Sequence, residues 1–170
     1  MDCVVLPAKE ADVVDLASLH AESWRSAYRG LLPDAYLDGP VLPDRLDYWR
    51  TRLRDVASAR QLVLKAVVDD AIAGFVCVLL DSEPAWGPHL TNLHVKPALK
   101  GRGVGWRLFD AARSWAAQAA PGQPMHLWVI EKNWPARRFY ERQGGVVAGT
   151  RVFELGGTQV PEVRYVWRAI

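Results

Sequence analysis

The pattern of hydrophobic and polar positions changes character along the chain. Residues 13–27 place apolar side chains at helical spacing, and a second helical segment follows Asp44 through residue 53. From residue 61 the period shortens, and residues 61–68 and 72–80 predict a hairpin. Further strands are predicted at residues 3–6, 90–95, 125–130, 146–155 and 160–167, with a turn or short helix from residue 31. Helices are predicted after the glycines at 101–105, ending at Pro121-Gly122, and at residues 133–140.

The order of these elements is strand, helices, two strands, a strand–loop–helix–strand unit, a helix and a final pair of strands. This order predicts a mixed α/β fold with one parallel crossover in the middle. At 170 residues, half of them hydrophobic, the chain is expected to form one domain over residues 1–170.

Charge and cysteine content exclude several classes of protein. A net charge of +2 gives no electrostatic case for a nucleic-acid partner or an anionic membrane. The longest apolar run, residues 71–80, is too short to span a bilayer. The N-terminus has no signal-peptide pattern, and Cys3 and Cys77 do not make a disulfide framework. We therefore expect a cytoplasmic protein.

The central segment, residues 93–113, carries the strongest chemical signal. A strand pattern ends at Val95, three glycines alternate with other residues from Gly101 to Gly105, and an amphipathic helix follows at once. Such a loop brings backbone N–H groups and the positive end of a helix to a phosphate. It lacks the Lys-Ser/Thr of the P-loop, and its third glycine comes too early for the dinucleotide fingerprint. Lys100 and Arg102 add two cations, so the segment predicts a pyrophosphate site.

A second motif lies a crossover length downstream. Its residues are Asn133, Ala136, Phe139, Tyr140 and Gly144, which follow the pattern Asn-x-x-Ala-x-x-Phe-Tyr and then glycine. Together with Lys100, Gly103 and Gly105 in the pattern Gln/Arg-x-x-Gly-x-Gly/Ala, this motif resembles the GCN5-related N-acetyltransferase (GNAT) family. Two positions depart from the family pattern: Lys100 stands where Gln or Arg is usual, and Gly145 where a bulky aromatic is usual.

The resemblance implies a mostly antiparallel sheet of six to seven strands, about four helices, and a central parallel β-α-β unit whose strands splay apart around acetyl-CoA. The backbone of Leu93, His94 and Val95 would pair with the pantetheine arm, with the His94 side chain packing on the opposite face. Asn133, Arg137 and Tyr140 would also contact the cofactor, and Tyr140 would protonate the leaving thiolate. The pyrophosphate would lie on the N–H groups of Lys100, Gly101, Arg102, Gly103, Val104, Gly105 and Trp106.

The acceptor amine must lose a proton, because at pH 7 only roughly one part in a thousand of an amine of pKa about 10 is neutral. The resemblance places His89 where relatives carry a glutamate, and an ordinary pKa near 6.5 suits a base. Glu83 in the preceding loop is the second candidate. The histidines and cysteines lack metal-ligand spacing, so no metal site is expected. The aromatic residues expected in an acceptor pocket, with core packing as the alternative, are Trp24, Tyr28, Tyr36 and Trp49.

The function that the sequence favours is therefore transfer of an acetyl group from acetyl-CoA to a primary amine of a small molecule by direct attack. Two alternatives stay open: an enzyme that acetylates a protein N-terminus or lysine, and a non-catalytic acyl-CoA sensor. Core packing is the competing interpretation of Tyr140, and helix capping that of Asn133. A homodimer through the edge of the closing hairpin is also open.

Overall fold

The fold is built on one twisted sheet. The computed structural model describes residues 2–54 and 60–168. Within them the strands lie in the order β1-β2-β3-β4-β5-β7-β6, and the neighbours are antiparallel except for the parallel pair β4 and β5. The strands are β1 (Cys3–Pro7), β2 (Gln61–Val68), β3 (Ala71–Leu79), β4 (His89–Val95), β5 (Met125–Ile130), β6 (Val146–Leu155) and β7 (Thr158–Trp167).

Helices cover both faces of this sheet. On β3, Phe75 and Cys77 point to one face and pack with α1 and α3, while Val76 and Val78 point to the other face and pack in the same cluster as α4. None of the described helices combines the length and the hydropathy that crossing a bilayer requires. The helices are α1 (Val13–Ala27), α2 (Asp34–Asp38), α3 (Val41–Arg54), α4 (Val104–Ala119) and α5 (Trp134–Arg142).

The predicted mixed fold with a central parallel unit is confirmed. The described part contains five α-helices rather than about four, because the segment after Pro33 closes a full helical turn as α2. The β2–β3 hairpin turns on Asp69 and Asp70, which both have positive φ, as a two-residue turn matching the strand twist requires. That residues 1–170 form one domain stays a prediction.

One edge of the sheet is formed by β6. Val146 is 63% exposed and Val152 62% exposed, so this strand presents apolar side chains to solvent. An open edge of this kind can pair with another chain. The homodimer suggested by the closing hairpin stays a prediction.

The parallel strands β4 and β5 separate almost at once. Their described pairing is the single step His89 to His126, where the His126 N–H also donates to the Pro88 carbonyl over 2.9 Å. Beyond that step β4 pairs only with β3, and β5 only with β7. The two strands therefore leave between them a gap lined by backbone groups, which the rest of the fold encloses.

Candidate active site

The glycine loop presents a row of free backbone donors. Among the described residues, no N–H group of residues 101–106 donates a hydrogen bond to the protein, and the first donor of the helix is Arg107, which bonds the Gly103 carbonyl over 3.1 Å. Gly103 caps α4 with φ +84°, a conformation that favours glycine. Free N–H groups at the start of a 16-residue helix form a site for an anion.

A cavity of about 750 Å³ begins at this loop. It passes between β4 and β5 and ends among α1, α3 and the β6–β7 hairpin, so the loop and the opposite end share one space. Of the residues predicted from the sequence, those that line it are Trp24, Tyr28, His89, Leu93, His94, Val95, Lys100, Gly101, Gly103, Gly105, Trp106, Asn133 and Tyr140.

Helix α5 brings Asn133 and Tyr140 to the wall of the cavity. The Asn133 side chain caps the helix by accepting a hydrogen bond from the Ala136 N–H over 3.4 Å, and the residue also lines the cavity. Tyr140 is 8% exposed, and burial raises the pKa of its phenol above the ordinary value. A buried phenol with a raised pKa stays protonated at neutral pH and can donate a hydrogen bond into the cavity.

The end of the cavity away from the loop is lined by aromatic and charged groups. Trp24 and Tyr28 lie edge to face there, with ring centroids 5.3 Å apart. The β6–β7 turn closes over this end, because Gly156 approaches Tyr36 so closely that a Cβ at this position would lie 2.6 Å from the Tyr36 ring. Arg151 and Glu162 form an ion pair of 2.7 Å in the same wall.

Comparison with known proteins agrees with this geometry. The family model described as "Acetyltransferase (GNAT) family" matches residues 17–145. The chain belongs to the GNAT acetyltransferase family. The predicted enzyme class, an acetyl-CoA-dependent N-acetyltransferase, is thereby confirmed at the level of the family.

Individual relatives of this acetyltransferase are distant. The uncharacterized N-acetyltransferase YuaI of Bacillus subtilis is 24% identical, over 96% of this chain and 91% of its own length. The crystal structure of the PaiA N-acetyltransferase of Thermoplasma acidophilum in complex with coenzyme A has a TM-score of 0.76 and 19% identity, and covers 98% of this chain and 100% of its own. YncA of Salmonella typhimurium, solved with acetyl-CoA, has a TM-score of 0.72 and 14% identity, over 99% of this chain and 94% of its own.

Two aromatic residues predicted for the acceptor pocket of the acetyltransferase lie elsewhere. Trp49 is fully buried and packs against Phe75 and His20 beneath the sheet, so the prediction that it lines the pocket is wrong. Tyr36 lies behind Trp24, with ring centroids 6.4 Å apart, and supports the wall without lining it. Trp49 belongs to α3, which does carry the pocket residue Arg45, and helical spacing alone did not reveal which side chain of this helix turns inward.

Three residues predicted to contact the cofactor, Arg102, Val104 and Arg137, do not line the cavity with their side chains. Arg102 and Val104 do not line it with their side chains, although their N–H groups belong to the free row. Arg137 donates to the Tyr165 hydroxyl over 3.0 Å and to the Glu131 carbonyl over 3.1 Å. These bonds fix its guanidinium, and the residue does not line the cavity, so its contact with the cofactor stays a prediction.

His89 is present in the cavity wall but is a poor base. Its ring stacks on His126 at 4.4 Å and its Nδ1 shares a 2.7 Å hydrogen bond with the Ser82 hydroxyl. Burial, followed by repulsion from His126, lowers the pKa of His89 to about 3. The expectation of a base with a pKa near 6.5 is therefore wrong, because a group this weakly basic does not hold a proton taken from an amine at neutral pH.

Glu83 is also unsuited to that role. Its carboxylate accepts a hydrogen bond of 2.7 Å from Trp128 and pairs with Arg164, and it does not line the cavity. Burial alone would raise the pKa of Glu83, but the Trp128 bond and the Arg164 charge outweigh it and lower the pKa. An ion-paired carboxylate outside the cavity has little basicity to offer the acceptor.

The structure also assembles a cluster that sequence spacing did not reveal. Possible ligand atoms of Glu83, His89 and His126 lie within 4.8 Å of one another, and both ring nitrogens of the fully buried His126 lack a hydrogen-bond partner among the described residues. However, Arg164 pairs with the carboxylate and Arg151 approaches it to 3.7 Å. Their positive charges oppose a metal cation. The expectation of no metal stays a prediction, which now rests on charge rather than on spacing.

Sequence reasoning missed several residues of the acceptor end. Glu162 on β7 is 8% exposed, and Arg45 on α3 reaches the cavity between Trp24 and Tyr48. Neither residue lies in a motif, and each reaches the site only through the packing of distant elements. Glu162 and Arg164, two charged residues within the mostly apolar residues 160–167, are a sequence signal that pointed this way.

Proposed function

We propose that this acetyltransferase transfers the acetyl group of acetyl-CoA to a primary amine of a small molecule, by direct attack of the amine on the thioester. The observation that carries the proposal is the single cavity that joins a row of free N–H donors to an aromatic, charged end. The pyrophosphate would lie on the donors of residues 101–106, and the pantetheine arm would pair with the exposed backbone of β4 in the gap beside β5.

Asn133 and Tyr140 would act on the sulfur end of the cofactor. In the proposed mechanism, the neutral amine attacks the thioester carbonyl and a backbone N–H near Leu93 stabilises the oxyanion. The C–S bond then breaks as Tyr140 protonates the departing thiolate, and the proton lost by the attacking nitrogen returns through solvent to the Tyr140 phenolate. The low-polarity surroundings that raise the pKa of Tyr140 keep its phenol protonated, so its proton would be available when the thiolate departs. Asn133 would hold the pantetheine amide while its side chain caps α5.

The closed acceptor end supports a small acceptor over a protein. The β6–β7 turn packs on α2 at Gly156 and Tyr36, and Leu155 and Val160 of the hairpin pack in the same cluster as Trp24. A folded protein offering a lysine or its N-terminus needs an open groove on this side. The packed hairpin instead forms a wall.

A cytoplasmic location and the absence of a nucleic-acid partner are further proposals. Both cysteines are free and Cys77 is fully buried, which fits a reducing, cytoplasmic environment. The net charge of +2 supports the absence of a nucleic-acid partner.

The proposal is tested by incubating the protein with acetyl-CoA and a panel of small primary amines, following thiol release and the acetylated products by mass spectrometry. We expect at least one amine to be acetylated, and Tyr140→Phe to lower kcat by about 100-fold or more while leaving the KM for acetyl-CoA nearly unchanged. Tyr165→Phe is the matched control, since Tyr165 is buried and bonded to Arg137 and Glu141 outside the cavity.

Other outcomes separate the alternatives. Acetylation of peptides or proteins but of no small amine would favour the protein-directed enzyme. Binding of acetyl-CoA without any acetylated product, together with no effect of Tyr140→Phe, would favour a sensor. Unchanged kcat in Tyr140→Phe with active turnover would remove Tyr140 as the acid.

A further inference from the structure

Arg45 is a charged side chain with unused hydrogen-bonding capacity in the wall of the acceptor end. Its guanidinium lies over the Trp24 ring at 4.5 Å and the Tyr48 ring at 5.3 Å, and its Nε is buried without a hydrogen-bond partner among the described residues. Cation–π contact with two rings restricts the position of the guanidinium. A planar guanidinium with a free N–H edge matches the two oxygens of a carboxylate.

The surrounding charges leave this cation unbalanced. The carboxylate of the cavity wall, Glu162, is already paired with Arg151 at 2.7 Å. In residues 2–54 and 60–168 no carboxylate forms a salt bridge with Arg45, and the contact of its side chain with the Tyr36 hydroxyl uses only part of its five donors. Arg45 is half-buried and its Nε is shielded from water, so the site favours a ligand that brings a negative charge to this cation.

The charges of Arg45 and Glu162 both act on Tyr28 in the cavity wall. The pKa of Tyr28 is raised to about 12, chiefly by burial and then by the negative charge of Glu162, while the positive charge of Arg45 opposes the rise. Both charged groups therefore act on one phenol in the acceptor end. A molecule lying against Tyr28 meets a cation toward α3 and an anion toward β7.

We propose that Arg45 binds a carboxylate of the acceptor, so that the substrate is a small primary amine that also carries a carboxylate group. This inference rests on the proposed acetyl transfer and specifies its substrate class. The guanidinium would hold the carboxylate side-on through two N–H groups. The stacked rings of Trp24 and Tyr48 would keep Arg45 in place in the absence of substrate.

The first experiment compares matched sets of amines with acetyl-CoA as donor. Each set contains an amino acid, its amide and the corresponding amine without the carboxylate, all with the same side chain. We expect kcat/KM for the free acid to exceed that for the amide and the simple amine by roughly 10- to 100-fold, the loss typical of one hydrogen bond to a charged group.

The second experiment changes Arg45 itself. Arg45→Met keeps an unbranched stem on the Trp24 ring but removes the charge, and is expected to abolish the preference for the acid while leaving the KM for acetyl-CoA unchanged. Arg45→Lys is expected to restore part of the preference, because lysine keeps the charge without the planar fork. Arg50→Gln is the matched control: Arg50 is exposed on the same helix and pairs only with Asp47 at 3.3 Å.

The results distinguish failure of the role given to Arg45 from failure of the proposed acetyl transfer. Acetylation of the acid, amide and simple amine with equal kcat/KM would overturn the role of Arg45 but leave the acetyltransferase activity established. An equal loss for all three acceptors in Arg45→Met, with normal acetyl-CoA binding, would show a structural role only and overturn the inference. No acetylation of any amine by protein that binds acetyl-CoA would overturn both proposals.

Discussion

Tyr140 and His89 are titratable side chains in the wall of one cavity, and burial moves their pKa values in opposite directions. A buried site disfavours the charged form, which is the phenolate for tyrosine and the imidazolium for histidine. Tyr140 therefore keeps a proton to donate, whereas His89 cannot hold one. The chemistry that each residue offers follows from its surroundings as much as from its type.

This contrast predicts the dependence of the rate on pH. Because neither His89 nor Glu83 is an effective base, kcat/KM is expected to follow the neutral fraction of the acceptor and to rise about tenfold per pH unit below the pKa of the amine. His89→Gln should leave the shape of this profile unchanged. Steady-state kinetics between pH 6 and 9 check this, with the KM for acetyl-CoA as the control for folding. A change of slope near pH 6.5 in the wild-type plot of kcat/KM against pH, absent in His89→Gln, would instead identify His89 as the base.

At the scale of elements, the site is the junction of β4, the glycine loop and α4. Pairing of β4 with β5 stops after His89 and His126, and the helix that connects the two strands begins where the gap opens. The same crossover therefore creates the gap and aims a helix N-terminus at it. Gly105 lies inside this junction, where an added Cβ would be 3.6 Å from Val95 and 3.9 Å from Phe139, at ordinary contact distances.

Gly105→Val tests this junction. A Cβ is tolerated at Gly105, but the two methyl groups of valine would enter the space assigned to the cofactor. We expect the affinity for CoA to fall by roughly 10- to 100-fold, corresponding to the 1–3 kcal/mol typical of overpacking. Isothermal titration calorimetry measures the affinity. Gly149→Val is the matched control, since Gly149 lies on β6 with no atom within 4 Å of an added Cβ. Wild-type affinity in Gly105→Val would contradict the cofactor position.

On the scale of the whole molecule, the chain holds each of its four histidines neutral. Burial is the largest cause at every one: the pKa falls to about 3 at His89 and His94, to about 4 at His126, and well below the ordinary value at His20. In the unfolded chain these groups bind protons near pH 6.5. The unfolded state therefore binds more protons than the native state at mildly acidic pH.

Because the unfolded state binds more protons than the native state, the free energy of unfolding is predicted to fall in acid. Stability is expected to be full above about pH 6.5 and to fall as the pH decreases from 6.5 toward 4, with each histidine contributing about 1.4 kcal/mol per pH unit. Urea unfolding at pH 7, 6 and 5 measures the slope, and His126→Leu, which removes one such group, should make it shallower. Equal stability at pH 7 and pH 5, or an unchanged slope in His126→Leu, would contradict the prediction.

The sequence by itself determined the features that depend on neighbours along the chain. Strand patterns, the run from Gly101 to Gly105 and the helix from Asn133 to Tyr140 are local, because backbone conformation and helix capping are set within a few residues. These features carried the fold class, the family and the phosphate end of the cavity. The departure at Gly145 was visible too, but its cause was not: the Trp167 ring lies 2.7 Å from where a Cβ at Gly145 would be.

The tertiary structure alone decided which side chains share an environment. Burial and charge at His89 come from His126 and the Glu83–Arg164 pair, which are distant in sequence and meet across β4, β5 and β7. The exclusion of Trp49 and the placing of Arg45 depend on how α3 packs on the sheet. Electrostatic interaction depends on distance in space and on exclusion of water, so the basicity of the site and its preference for an acceptor emerge only when the chain is folded.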